Sequence, residues 1–95
     1  MGQFAEQVYT RQEDIARIEA SATQLHDEAW VALTLEDGGT VEGVVAVRPV
    51  VQTFRDPQGR EGINAVVRID DAGDQAVAHY IWLDRIREIR HLGSS

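Results

Sequence analysis

The chain has no cysteine, which excludes a disulfide framework, a thiolate nucleophile and any zinc site that needs a thiolate ligand. It also has no long apolar run, since a stretch such as 44–47 is far shorter than the roughly 20 residues of a membrane-spanning helix. Residues 1–6 lack the basic start and apolar stretch of a signal peptide. These absences predict a soluble cytoplasmic protein that does not act at a membrane.

Lysine is missing too: all nine basic residues are arginine, and the net charge is -7. A field of that sign repels a phosphate backbone, which argues against non-specific nucleic-acid binding and against DNA as a partner. The arginines are unevenly distributed along the chain, because Arg85, Arg87 and Arg90 lie close together near its end. With 95 residues, the chain is expected to form one domain.

Motifs for catalysis and for cofactors are absent as well. The serines, Ser21, Ser94 and Ser95, stand in no nucleophile motif, and no phosphate-binding loop or dinucleotide fingerprint is present. The three histidines lack metal-ligand spacing, and the acidic run 70–74 is typical of a solvated turn. We therefore predict no enzymatic activity, no cofactor and no metal.

The first regular element is a predicted helix over 10–28. Thr10 and Glu13 have the spacing of a capping box, in which each residue satisfies the other's free amide. Apolar residues recur at three- and four-residue steps, which gives one narrow stripe: Ile15, Ile18, Ala22 and Leu25. Such a helix needs a sheet or a partner to cover that stripe. Residues 1–9 before it, and 93–95 at the other end, are predicted to be flexible.

From residue 29 to 92 the apolar pattern alternates, which predicts strands. The turn signals are Asp37-Gly38-Gly39, Asp56-Pro57-Gln58-Gly59 and the acidic run 70–74. They divide the segment into strands at 31–36, 40–47 with a continuation through 50–54, 63–69 and 75–83. Residues 86–92 are either a last strand after a single 3₁₀ turn or a short helix. Gly43 allows a sharp bend or close packing in the second strand.

A helix followed by five short strands, the second strongly bent, resembles the Sm-like family. Residues 31–45, with their Asp-Gly turn and Gly43, look like the first Sm motif, and 81–89 resemble the second in spacing. The resemblance implies a five-stranded antiparallel small barrel of the SH3 type, capped by the helix. It also implies rings of subunits joined by strand pairing and a uridine-rich RNA site at the pore. The chain further resembles a small uncharacterised proteobacterial family with no known function.

The residues expected at the RNA site depart from the family pattern. The usual aspartate and asparagine after the motif glycine are Pro49 and Thr53 here, and Trp82-Leu83 replaces the Arg-Gly of the second motif. A different patch takes their place as the candidate interface or RNA contact, and it combines two aromatic residues with three arginines: Tyr80, Trp82, Arg85, Arg87 and Arg90.

Three functional hypotheses follow. The first is a self-associating structural module, or one that binds another protein, because Trp30, Tyr80 and Trp82 exceed what one thin core needs. The second is RNA binding through Trp82 and the C-terminal arginines. The third is an SH3-like module that binds extended peptides. A homo-oligomer is the partner we expect first.

Overall fold

The computed structural model describes residues 3–94, with side chains from 4 to 93. In chain order it contains one short strand, one helix, six further strands, one 3₁₀ turn and a last strand. The bounds are β1 Gln3–Phe4, α1 Gln12–Gln24, β2 Ala29–Leu35, β3 Thr40–Val47, β4 Gln52–Arg55, β5 Glu61–Asn64, β6 Val66–Asp71, β7 Ala78–Trp82, the 3₁₀ turn Leu83–Arg85 and β8 Ile86–Ser94.

The strands form two sheets. A five-stranded sheet has the order β7-β6-β3-β2-β8 and a three-stranded sheet has the order β1-β4-β5. Every pairing in the larger sheet is antiparallel, whereas β1 joins β4 in parallel. Within residues 3–94 the end strands β7 and β8 do not pair with each other. One helix on an antiparallel sheet is therefore observed, while closure into a barrel stays a prediction.

The core lies between α1 and one face of the five-stranded sheet. Ile18 and Leu25 from the helix segment are buried there at 4% and 0% exposure. Alternate residues of β2, Val31 and Leu33, point into the same cluster because successive side chains of a strand face opposite sides. The rest of this buried cluster comes from the remaining strands and the 3₁₀ turn: Ala29, Val45, Ala65, Val67, Ile69, Ile81 and Leu83.

The helix is shorter than predicted, and the capping box is wrong. Arg11 is the N-cap, with no side-chain cap, and its carbonyl accepts from the amides of Asp14 and Ile15. Thr10 does not take that position, because the Asp14 amide, four residues further on, donates to the Arg11 carbonyl instead of that of Thr10. The chain also leaves the helix before residue 28, where Glu28 has a positive φ of 68° and donates its amide to Val45.

The structure confirms the predicted first hairpin. Between β2 and β3, Gly38 adopts a φ of 91°, and the Asp37 carboxylate accepts the Gly39 amide at 2.8 Å. Gly43 explains the close packing expected of it, since a Cβ there would lie 2.1 Å from the carbonyl oxygen of Asp70 on β6. That contact leaves no room for any other residue at this crossing.

Two predicted strands are each divided in the structure. Residues 63–69 break at Ala65, so that β5 and β6 belong to different sheets. The break occurs because the Asn64 side chain accepts the Ala65 amide and Leu83 donates to the Ala65 carbonyl. Likewise 50–54 does not continue β3: after Pro49 the chain enters β4 of the smaller sheet. The strand predicted over 75–83 shortens to β7, while β8 after a 3₁₀ turn confirms the strand interpretation of 86–92.

Neither predicted flexible end is wholly free. Gln3 and Phe4 pair with β4, and Tyr9 bridges β5, so residues 3–9 form a strap across the smaller sheet. Gly62 makes room for the strap, since a Cβ at that position would lie 2.9 Å from the backbone of Tyr9. Gly93 and Ser94 belong to β8. The parts of those predictions that fall on residues 1, 2 and 95 lie outside the described residues.

Candidate functional site

A cavity of about 270 Å³ lies beside β7 and contains three of the five predicted site residues. Tyr80, Trp82 and Arg85 line it, together with Glu6 from the strap and Asp84 from the 3₁₀ turn. Pockets for drug-sized ligands span roughly 300–1,000 Å³. At about 270 Å³, this cavity is therefore slightly smaller than the usual pocket for a drug-sized ligand.

Trp82 has a structural contact as well as a place in the cavity. Its ring meets the Phe54 ring edge-on, with centroids 5.0 Å apart and planes at 81°. Phe54 itself is 1% exposed and belongs to the smaller sheet. Such aromatic pairs contribute about 0.5–1.5 kcal/mol beyond the area that they bury. Trp82 thus joins the two sheets, and only the rest of its half-buried ring is available to a ligand.

Tyr80 is the most accessible aromatic group of the cavity. It lies two residues before Trp82 on β7, opposite Arg68 of β6, and is 68% exposed. Side chains at i and i+2 of a strand share a face. Tyr80 and Trp82 therefore form an aromatic pair on one side of β7, at the end of the sheet.

A hydrogen-bond network forms the polar wall of the cavity. The Tyr9 hydroxyl donates to Oδ2 of Asp84 at 2.9 Å, and Asn64 Nδ2 donates to Oδ1 of Asp84 at 3.3 Å. Asn64, 1% exposed, also donates to the backbone carbonyl of Gln7 at 3.0 Å. These bonds tie the strap, β5 and the 3₁₀ turn together.

Asp84 also changes the acidity of its phenol partner. Burial, reinforced by the hydrogen bond to the Asp84 carboxylate and by its negative charge, raises the pKa of Tyr9 to about 12. Each of these effects disfavours the phenolate, because an anion would be poorly solvated and would repel the carboxylate. Tyr9 is consequently a hydrogen-bond donor throughout the physiological pH range.

The cavity carries more negative than positive side chains. Glu6 and Asp84 contribute carboxylates, and Arg85 contributes the guanidinium group. Neither Glu6 nor Arg85 forms an ion pair within residues 4–93. A phosphate-binding groove needs an excess of positive charge, which this lining lacks.

The other two predicted site residues lie elsewhere. Arg87 donates from Nη2 to the backbone carbonyl of Glu36 at 3.0 Å. Arg90 is on β8 opposite Ala32, in a depression that it shares with Glu42 and Glu88. The five residues therefore do not form one patch in this chain, although Tyr80, Trp82 and Arg85 do.

In the acidic turn, the Asp71 carboxylate is already hydrogen-bonded to groups of the same chain. The Asp71 carboxylate accepts from His79 at 2.9 Å and from the amides of Gly73 and Asp74. The bond from His79, followed by those two amides, holds the pKa of Asp71 below its usual value. In the described part of the chain, no three or more His, Cys, Asp and Glu side chains are grouped to hold a metal ion.

Sequence reasoning did not identify Tyr9, Phe54, Asn64 or Asp84 as parts of the site. The Tyr9–Asp84 bond joins residues 75 positions apart, and the Asn64–Asp84 bond joins residues 20 apart. No local pattern signals such pairs. The one available hint was the polar Asn64 inside an apolar strand pattern, since a buried polar group needs a partner.

No helix among residues 3–94 has the length and apolar character needed to span a bilayer.

Comparison with other proteins finds a solved structure that is similar to this one. A solved structure, XC5848 from Xanthomonas campestris, is described as adopting a novel variant of the Sm-like motif. It is 40% identical, with a TM-score of 0.91, and the match covers 98% of this chain and 100% of that one.

The Sm-like resemblance expected from the sequence is thereby confirmed, and so is kinship with a family of unknown function. No curated protein matches the chain. A family model described as a domain of unknown function, DUF3247, matches residues 2–92. The chain belongs to the DUF3247 family.

Proposed function

We propose that this protein is a non-enzymatic structural module of the cytoplasm that assembles with copies of itself through the open ends of its five-stranded sheet. The observation that supports this most is the sheet order, because neither β7 nor β8 has a neighbour on its outer side within residues 3–94. Unpaired strand edges favour addition of a further strand from another chain.

The charges near the two edges favour contact of one edge with the other. On β8, Arg87 and Arg90 form no ion pair in residues 4–93. Near β7, the cavity contributes two carboxylates, from Glu6 and Asp84, against the single guanidinium group of Arg85. Complementary charges of this kind steer association and disfavour the wrong pairing. A head-to-tail contact of β7 with β8 generates a ring if the rotation closes.

Lysine placed on the β7 edge tests this assembly. Tyr80→Lys puts a charged, solvated side chain on an edge strand, and Ala20→Lys at an exposed position of α1 adds the same charge away from that edge. We expect light scattering after size-exclusion chromatography to show a smaller assembly for Tyr80→Lys and an unchanged one for Ala20→Lys. A monomeric parent protein at micromolar concentration contradicts the proposal.

RNA binding is the second candidate, supported by the presence of Tyr80, Trp82 and Arg85 in one cavity. One stacked base contributes about 1–3 kcal/mol in single-strand binders. Fluorescence anisotropy with short uridine- or adenine-rich RNA at low salt tests it. Arg85→Ala is expected to weaken binding and lower the salt slope, whereas Arg48→Ala, remote in sequence, serves as the control. Absence of binding at low salt rejects this function.

A further inference from the structure

We infer that the protein has a second contact surface, the outer face of the five-stranded sheet, which packs against the same face of a second copy. The outer face is the side turned away from α1. This contact is distinct from pairing of strand edges, and it uses a two-fold axis that runs along β2, the strand at its centre. The argument comes from the strand register.

The outer face is defined by alternation with the core. On β2, Val31 and Leu33 are buried, so Trp30, Ala32 and Thr34 lie on the outer face. Trp30 is 44% exposed. The neighbouring strands contribute Thr40, Glu42 and Val44 from β3 and Glu88, Arg90 and Gly93 from β8. All of these are exposed, whereas Ala32 and Thr34 of β2 are partly buried.

In one cross-strand row, an aromatic residue on β2 has a larger side chain on one side and a glycine on the other. Trp30 is opposite Val44 on β3 and opposite Gly93 on β8. A two-fold axis along β2 places Trp30 near its own copy. The same axis brings Val44 of each subunit over Gly93 of the other. Gly93 lies beneath its own Trp30 ring, since a Cβ there would be 3.5 Å from Cε3 of Trp30, so Val44 meets an apolar surface.

The next cross-strand row carries opposite charges on the two sides of β2. Ala32 is opposite Glu42 on β3 and opposite Arg90 on β8. Glu42 and Arg90 are separated by two strand spacings, about 10 Å, and neither forms an ion pair within residues 4–93. The two-fold axis brings each Glu42 to the partner copy's Arg90, which gives two equivalent ion pairs.

These two rows favour a second copy over any other occupant. A basic partner would meet Arg90, and an acidic partner would meet Glu42 and Glu88. A second copy pairs Glu42 with Arg90 and places Glu88 over the uncharged Thr40 of the other copy. An isologous interface requires this self-complementarity. Two sheets that pack face to face lie about 10 Å apart at roughly -30°, and the small Ala32 at the centre permits that approach.

Charge reversal tests the pairing directly. Sedimentation velocity over a concentration series is carried out in the Tyr80→Lys background, so that strand-edge assembly is suppressed and only the outer-face contact is measured. Arg90→Glu and Glu42→Arg are each expected to weaken dimerisation roughly tenfold or more, because each creates two like-charge contacts. The double variant Glu42→Arg, Arg90→Glu restores opposite charges and is expected to return the dimer to near the background affinity.

Matched controls carry the same charge changes away from the outer face. Glu19→Arg lies on an exposed position of α1, and Arg48→Glu lies on the exposed segment after β3. Both should leave dimerisation unchanged. The inference is overturned if the Tyr80→Lys background is monomeric at all concentrations, if single reversals have no more effect than the controls, or if the double variant does not recover. An oligomer lost in Tyr80→Lys and insensitive to Arg90→Glu supports edge pairing alone.

Discussion

The two sheets of this protein are held by different forces. The five-stranded sheet encloses a contiguous cluster of apolar side chains under α1. The three-stranded sheet has one large buried apolar residue, Phe54, and otherwise depends on hydrogen bonds made by the strap and by Asn64. Apolar burial is non-directional, whereas hydrogen bonds require particular partners. The smaller sheet should therefore be lost more easily and by more kinds of change.

Phe54→Ala should have the largest effect on the smaller sheet. Removing a buried phenylalanine typically costs about 3–5 kcal/mol, from lost transfer energy and from the cavity left behind. We expect urea denaturation to show this loss, and Trp82 emission to shift to longer wavelength as its ring gains water. Phe4→Ala, at a 72% exposed position on the strap, is the control and should change neither. A large loss of stability without a change at Trp82 would contradict the Phe54–Trp82 contact.

The same substitution at two glycines compares the sheets directly. Gly43→Ala brings a Cβ to 2.1 Å from a β6 carbonyl, so β3 and β6 must separate, and a loss of about 3 kcal/mol is expected. Gly62→Ala meets the strap backbone at 2.9 Å, and the strap can move away at a cost of about 1–2 kcal/mol. Hydrogen exchange should show global unfolding for Gly43→Ala and fast exchange confined to the smaller sheet for Gly62→Ala. Equal, global effects would make the two sheets one cooperative unit.

Tyr9→Phe removes the hydrogen bond between the strap and Asp84, at an expected cost of about 1–2 kcal/mol. Because the folded pKa of about 12 lies above the ordinary value of 10.0, this stabilisation is complete below pH 10 and is lost as the pH rises towards 12. Urea denaturation at pH 8 and pH 11 should therefore show a smaller gap between parent and variant at the higher pH. A gap that does not narrow would place the phenol outside this network.

Of these substitutions, Asp56→Asn should change the stability least, and the change should be visible only at acidic pH. Burial alone would raise the pKa of this carboxyl. Hydrogen bonds from the backbone amides of Arg60 and Gln58, together with the Arg60 guanidinium, outweigh it and keep the pKa below 3.8.

Asp56 therefore stabilises the β4–β5 turn above pH 3.8, and this contribution disappears as the pH falls through the lower folded value. Between pH 6 and pH 3, Asp56→Asn should lose less stability than the parent protein when both are followed by thermal melts. Asp37→Asn, in the turn of the larger sheet, is the matched control. Parallel acid profiles for Asp56→Asn and the parent would contradict the assignment.

Local patterns were sufficient for much of the larger sheet. Alternation in 31–35 and the Asp37-Gly38-Gly39 turn predicted the β2–β3 hairpin, because side-chain direction and turn geometry both depend on neighbouring residues. The same patterns failed at Ala65, where hydrogen bonds from Asn64 and Leu83 divide one apolar run between two sheets. For the candidate site, the sequence proposed Tyr80, Trp82 and Arg85, which line one cavity in the structure, but it did not propose Asn64 and Asp84, which line it too, or Phe54, which packs on Trp82.

The sequence by itself determined the elements whose information is local: an apolar helix stripe, alternating strands, and turns built on glycine and proline. Tertiary structure alone decided that residues 3–9 return to build a second sheet and that Tyr9 binds Asp84. It also decided that Glu42 and Arg90 flank Ala32 on one face. The physical reason is that these contacts join residues far apart in the chain, and their energies depend on distances that only the folded chain establishes.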